Sequence, residues 1–139
     1  MVVYELLTNL TIHYNALIRK VASTLNLTTS QALHLISIPY DGISMSVLSD
    51  RLGLDTSTLS RNIQKLEQLK LIKRGGELYD KRVKKIFLTP MGDDVVEKIE
   101  INLIDVNHSL IEKLDIDTQE KLLEILERLV WSMDCIREK

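Results

Sequence analysis

The side chains in this sequence that could do chemistry are hydrogen-bond donors and cations rather than nucleophiles or paired acids. Ser57, Thr58, Ser60, Arg61, Gln64 and Lys65 fall within one short run. Arg can bond a guanine edge through two parallel N–H groups, Gln an adenine edge, and Ser or Thr a base or a phosphate, which is the inventory that reading duplex DNA requires. A second concentration follows at Lys73, Arg74, Lys81, Arg82, Lys84 and Lys85, with the acid Asp80 two residues before Arg82. Cations this dense suit a phosphate backbone, and the competing explanation for any one of them is a solvated hairpin surface.

Other chemistries lack their residues. His13, His34 and His108 are widely separated, no pair has the i, i+4 spacing of a helical metal site, and neither a Gly-rich phosphate loop nor a nucleophile elbow occurs. No catalytic activity, metal or cofactor is expected. The single Cys135 cannot form an internal disulfide, which fits a reducing compartment. No segment approaches the ~20 apolar residues that span a bilayer, and no basic segment precedes an apolar run at the N-terminus, so a cytoplasmic protein without a membrane partner is expected.

Positioning these side chains falls to 139 residues, 45% hydrophobic and only 4% aromatic, enough for one domain-sized core built mostly from Leu, Ile and Val. The net charge of −2 hides an asymmetry: residues 44–89 hold ten Lys or Arg against five Asp or Glu, and the remainder eight against fifteen. A basic middle between acidic ends is what a nucleic-acid-contacting module flanked by non-contacting helices would show.

Val3, Leu7, Leu10, Tyr14, Leu17, Val21 and Leu25 recur at helical spacing and predict one amphipathic helix over 3–25. The Thr and Ser residues of "NLTTS" can cap a short second helix in "QALHLISI", which Pro39 and the turn at Asp41-Gly42 end. Ser44 or Ser46 opens "SMSVLSDRLG", Gly53 closes it, and Asp55 caps "TSTLSRNIQKLEQLKL". Two helices meeting across a Gly-containing turn form a helix-turn-helix, whose second helix lies in the DNA major groove. In that second helix Leu59, Ile63, Leu66 and Leu69 share a stripe expected to pack inward, leaving Ser57, Thr58, Ser60, Arg61, Gln64 and Lys65 on the outer face.

The periodicity then switches. "LIKR" and "VKKIFLT" read as two short strands separated by a long loop, "GGELYDKR", which makes a hairpin wing beside the recognition helix. Thr89 and Pro90 start a further helix of more than twenty residues, and a last helix is expected over 118–137 with Leu122, Leu126, Leu129, Met133 and Ile136 in heptad-like spacing. The expected fold is mainly α with a small β-hairpin wing. It forms a single domain over 1–139, with a winged helix-turn-helix part at about 28–89 and helical dimerisation parts at about 1–25 and 90–139.

At this point "LDTSTLSRNIQKLEQLKLIKR" followed by "DKRVKKIFLTPMG" resembles the winged-helix core of the MarR family of transcription regulators. The family pattern of an acid-x-Arg at the wing, a strand ending in Leu-Thr and a Gly shortly after is matched by Asp80, Arg82, Leu88, Thr89 and Gly92. The resemblance implies that Arg82 reaches into the minor groove and is held by Asp80, where a planar guanidinium suits the negative potential of a narrow groove. Gly75-Gly76 departs from the proline and charged residues common there, which predicts a more mobile wing.

The resemblance also implies a homodimer on a palindromic operator, with the two recognition helices about one DNA turn apart, and a ligand-responsive repressor as the form of regulation. Small aromatic or phenolic effectors are common in the family, in a cleft between the dimer helices and the winged domain. His13, Tyr14, Asn15, His34 and Tyr40 are the residues here near the expected cleft wall, against the simpler reading that each is a packed or surface residue. Relatives that sense peroxide do so through a cysteine near the start of the first helix. This chain has none there, and Cys135 at the far end is expected to be inert. A winged-helix module that binds only protein is the alternative function, and it would need neither the wing Arg nor the polar recognition face.

Overall fold

The computed structural model describes residues 2–77 and 80–138, and the side chains of these apart from residues 76, 77 and 80–83. The elements run α1 (Val3–Thr24), α2 (Thr29–Ile36), β1 (Ile43–Ser44), α3 (Met45–Leu52), α4 (Thr56–Gln68), β2 (Ile72–Glu77), β3 (Asp80–Leu88), α5 (Pro90–Ile111) and α6 (Ile116–Arg137). Two compact units divide the chain, Met1–Leu103 and Ile104–Lys139.

Local chemistry sets the helix boundaries of the first unit. Thr28 and Gln31 form a reciprocal capping box on α2, Ser44 caps α3, and Asp55 caps α4, each satisfying amides that would otherwise lack partners. Three helices end alike. The chain turns left-handed at Asn26, Gly53 and Lys70, and the next amide reaches back to the carbonyl of Ala22, Ser49 and Leu66 respectively. Glycine is the easy residue for that turn, yet a lysine makes it after α4.

The core of this unit gathers one stripe from each helix. Ile18, Val21 and Ala22 of α1 meet α2, whose Ala32 and Leu35 are fully buried. Leu48 of α3 and Leu59, Ile63 and Leu66 of α4 complete the helix-turn-helix, with Ile72, Ile86 and Ile99 closing it from the sheet and α5. Burying a Leu or Ile side chain contributes about 1.5–3 kcal/mol, so the three on α4 alone fix that helix firmly by one face. Leu69 corrects the expected stripe: it lies at the end of α4, 46% exposed, because the helix stops at Gln68, and Leu71 and Ile72 turn inward instead.

The sheet differs from expectation in two respects. It has three antiparallel strands, in the order β1-β3-β2, and the short β1 was not foreseen. Ile43 pairs with Ile86 and Ser44 with Lys85. The strands are also longer and the connection shorter than the sequence suggested. β2 reaches Glu77 and β3 starts at Asp80, so half of the segment read as a loop is paired across the strands, with a register shift between Gly76 and Glu77. Cross-strand pairing satisfies the backbone there despite the weak strand preference of Gly, Asp and Lys. Phe87 explains two glycines. A Cβ on Gly42, where φ is +84°, would lie 2.6 Å from the Phe87 ring, and one on Gly75 would touch the same ring at 3.4 Å.

Gly92 sits at a closer approach still. The first turn of α5 presses on the end of the α4 turn, and a Cβ at Gly92 would lie 2.0 Å from the carbonyl oxygen of Leu71. Thr89 fastens the same junction: its hydroxyl donates to the Lys70 carbonyl (2.7 Å) and accepts from the Gly92 amide (3.0 Å), and its own amide donates to Leu71 (3.0 Å).

The second unit is helical. Asp115 caps α6 by accepting from the Thr118 amide (2.7 Å), and the Gln119 side-chain amide donates to the carbonyls of Ile111 and Leu114 at the turn that precedes it. None of its described residues is buried, and Ile116, Leu123, Val130 and Trp131 are all exposed.

Candidate nucleic-acid interface

The polar face of α4 is built from its cap outward. Asp55 Oδ1 accepts from the Thr58 amide (2.7 Å) and from the Ser57 hydroxyl (2.8 Å). The Thr58 amide is the main cause, and the Ser57 hydroxyl the second, that lowers the Asp55 carboxyl from an ordinary 3.8 to about 2. Asp55 is therefore ionised at any physiological pH, sitting on the positive end of the helix dipole.

Ser57, Arg61, Gln64 and Lys65 are exposed, and Thr58 and Ser60 are half-buried at the edges of the same face. The Arg61 guanidinium lies 3.5 Å from the Thr58 hydroxyl, a contact too long to restrain it. All six side chains therefore share one accessible face, opposite the buried Leu59, Ile63 and Leu66.

The strand cations divide. Lys73 and Lys84 are exposed. Arg74, expected on a phosphate, instead has its Nε on Glu67 Oε1 at 2.8 Å, tying β2 to the last turn of α4. Glu67 was absent from the sequence reading. It lies seven residues before Arg74, and only the reversal of the chain after Lys70 brings them together. The backbone of Asp80, Lys81 and Arg82 belongs to β3, and their side chains lie outside the described residues, so the expected minor-groove contact stays an expectation from the resemblance.

The effector candidates are spread over three parts of the fold. Tyr40 is 96% exposed in the turn before β1, and His13 and Asn15 are exposed on α1 with Tyr14 at the margin. His34 is different: only 2% exposed, it donates from Nδ1 to the Ser30 carbonyl (2.5 Å) and accepts at Nε2 from the Asn62 side-chain amide (3.1 Å). A carbonyl can only accept, so Nδ1 carries the proton in this arrangement and Nε2 is left as the acceptor. His34 is thus a packed link between α2 and α4. Asn62, its partner, was not singled out from the sequence, although its place on the flank of α4 between Thr58 and Leu66 marks it as a half-buried polar residue.

No cluster of three His, Cys, Asp or Glu suited to a metal exists among the described residues, and none of the described helices is long and apolar enough to cross a membrane.

Residues 23–83 match the family model described as MarR family. No curated protein matches the sequence. Among solved structures, the transcriptional regulator SlyA is 21% identical and superposes with a TM-score of 0.84, covering 99% of this chain and 98% of its own. A MarR protein from Peptoclostridium difficile is 20% identical with a TM-score of 0.84, covering 99% and 90%. MepR from S. aureus, in a complex with DNA, is 23% identical with a TM-score of 0.73, covering 93% and 97%. Residues 23–83 are thus similar to MarR-family sequence, and the chain has the winged helix-turn-helix fold of these solved structures.

Proposed function

We propose that this chain is a sequence-specific double-stranded DNA-binding transcription regulator acting as a homodimer. The observation that carries the proposal is α4: a helix anchored by three fully buried apolar residues that presents Ser57, Thr58, Ser60, Arg61, Gln64 and Lys65 together on its free face. Arg61 and Gln64 read bases in the major groove, Lys65, Lys73 and Lys84 meet phosphates, and Arg82, positioned by Asp80 and flanked by Lys81, enters the minor groove. The fold is that of MepR, which is known in complex with DNA.

Uncovered apolar residues support the dimer. Val3, Leu6 and Leu10 of α1 are each about 60% exposed and follow one helical face, and on α6 Leu123, Val130 and Trp131 are at least as open. Apolar stripes of this length call for a partner, and a second copy supplies one by two-fold symmetry. A two-fold dimer matches a palindromic operator, where the protein acts as a repressor that a small aromatic effector releases from DNA. Selecting bound fragments from sheared genomic DNA and sequencing them tests the proposal. A recurrent palindrome whose half-sites lie about ten base pairs apart is expected, and recovery of fragments without any shared motif would refute it.

A further inference from the structure

A cleft lies between the start of α2 and the middle of α4, and of its walls only Lys65 has so far been given a part in DNA binding. It has a volume of about 200 Å³, with polar walls of Thr28, Ser30, Gln31, His34, Asn62 and Lys65 over an apolar patch from Leu66. A drug-sized effector occupies roughly 300–1,000 Å³, so the space suits a single small group.

The polarity of the cleft identifies that group. Gln31 Oε1 is occupied by the Thr28 amide, and the Thr28 hydroxyl oxygen accepts from the Gln31 amide. His34 Nε2 is occupied by Asn62 Nδ2. These three acceptors are consumed within the protein, which leaves Asn62 Oδ1 and the Ser30 hydroxyl oxygen against a larger set of free donors: the Gln31 side-chain N–H groups, the second Asn62 N–H and the Thr28 and Ser30 hydroxyl protons. No Asp or Glu lines the cleft, and Lys65 gives it a positive charge. A cluster of donors around one cation selects an oxyanion.

Lys65 also belongs to the outer face of α4, one turn beyond Arg61. An oxyanion in the cleft therefore lies at the flank of a duplex docked on that face. We infer that this cleft receives one phosphodiester of the DNA backbone, held by Lys65 Nζ, Asn62 Nδ2 and the Ser30 hydroxyl. The inference rests on the DNA-binding reading and adds to it a clamp that sets how α4 enters the groove. His34 orients the Asn62 amide toward the phosphate.

The test is fluorescence anisotropy of the full chain with a random-sequence 30-base-pair duplex over several salt concentrations, after circular dichroism has confirmed the fold of each variant. Ser30→Ala leaves the Ser30 carbonyl on His34 and disturbs no buried group. It and Asn62→Leu each weaken binding by about threefold to tenfold with the salt slope unchanged, as loss of one net hydrogen bond predicts. Lys65→Gln lowers the slope of log affinity against log salt by about 0.9 per protomer. Effects combine to less than their product in the triple variant, because all three groups serve one phosphate. His34→Leu weakens binding in the wild-type background and not in the Asn62→Leu background, a pattern that mere loss of stability does not produce. Wild-type affinity in both Ser30→Ala and Asn62→Leu overturns the inference while leaving DNA binding intact, whereas a wild type that binds no duplex overturns the DNA reading itself. Calorimetry with sodium phosphate separates the remaining source. Sub-millimolar binding of free phosphate that displaces the duplex would assign the cleft to a free anion and refute the clamp.

Discussion

Glu67→Gln frees the Arg74 guanidinium from its ion pair with Glu67, a 2.8 Å contact between side chains 39% and 34% exposed. At that exposure an ion pair contributes about 0–1 kcal/mol, so the fold loses little. DNA binding changes more. Each protomer loses a negative charge beside the recognition helix and gains a cation able to neutralise one phosphate. Counterion release then steepens the dependence of log affinity on log salt by about 0.9 per protomer, about two for a dimer, and raises affinity at ~0.1 M salt by roughly tenfold. The assay is an anisotropy titration with one duplex at four or more salt concentrations. Glu67→Gln with Arg74→Ala should return the slope to that of wild type. If Glu67→Gln changes neither slope nor affinity, Arg74 does not face the backbone, and its pair with Glu67 serves only to tie β2 to α4.

Gly92→Ala forces a methyl group to 2.0 Å from the Leu71 carbonyl oxygen, and overpacking of this kind costs about 1–3 kcal/mol, read as a drop in Tm of several degrees by calorimetry. Asp55 has its carboxyl lowered to about 2, so its contribution to stability is complete above the ordinary 3.8 and disappears as pH falls through about 2; the Tm difference between wild type and Asp55→Ala should stay constant from pH 8 to pH 5 and shrink below pH 4. Leu126→Glu with Met133→Glu places two charges on an apolar stripe of α6, and light scattering should report a monomer where the wild type is a dimer. Arg82→Ala should weaken specific and random duplexes alike and reduce the salt slope, while Arg61→Ala should cost about 1–3 kcal/mol on the specific site and little elsewhere.

Legibility in the sequence followed the range of the interactions involved. Helix starts were readable because caps are local: Thr28, Ser44 and Asp55 each act within three residues. The buried stripe of α4 was readable from its period, except at Leu69, where a left-handed turn at Lys70 overrode the pattern. Contacts between distant residues were not readable. Ile43 shows nothing in sequence that joins it to Ile86, and neither do His34 and Asn62, twenty-eight positions apart. The wing was recognised as a hairpin but its strands were cut short, since low strand preference in "GGELYDKR" gave no hint of the pairing that β2 and β3 impose. Gly92 belonged to a family pattern before its cause was visible, and that cause is the Leu71 carbonyl against the first turn of α5.

The central claim is that α4 reads a base sequence. Its most direct test is the ratio of Kd values for the genomic site enriched in the selection and for a random duplex of equal length, measured at one near-physiological salt concentration. Specific sites bind roughly 10³-fold or more tighter than random DNA, and a ratio of that order is expected, reduced by roughly fivefold to 150-fold in Arg61→Ala. A ratio near one, unchanged in Arg61→Ala, would show that the basic surface only binds phosphates and would contradict the account.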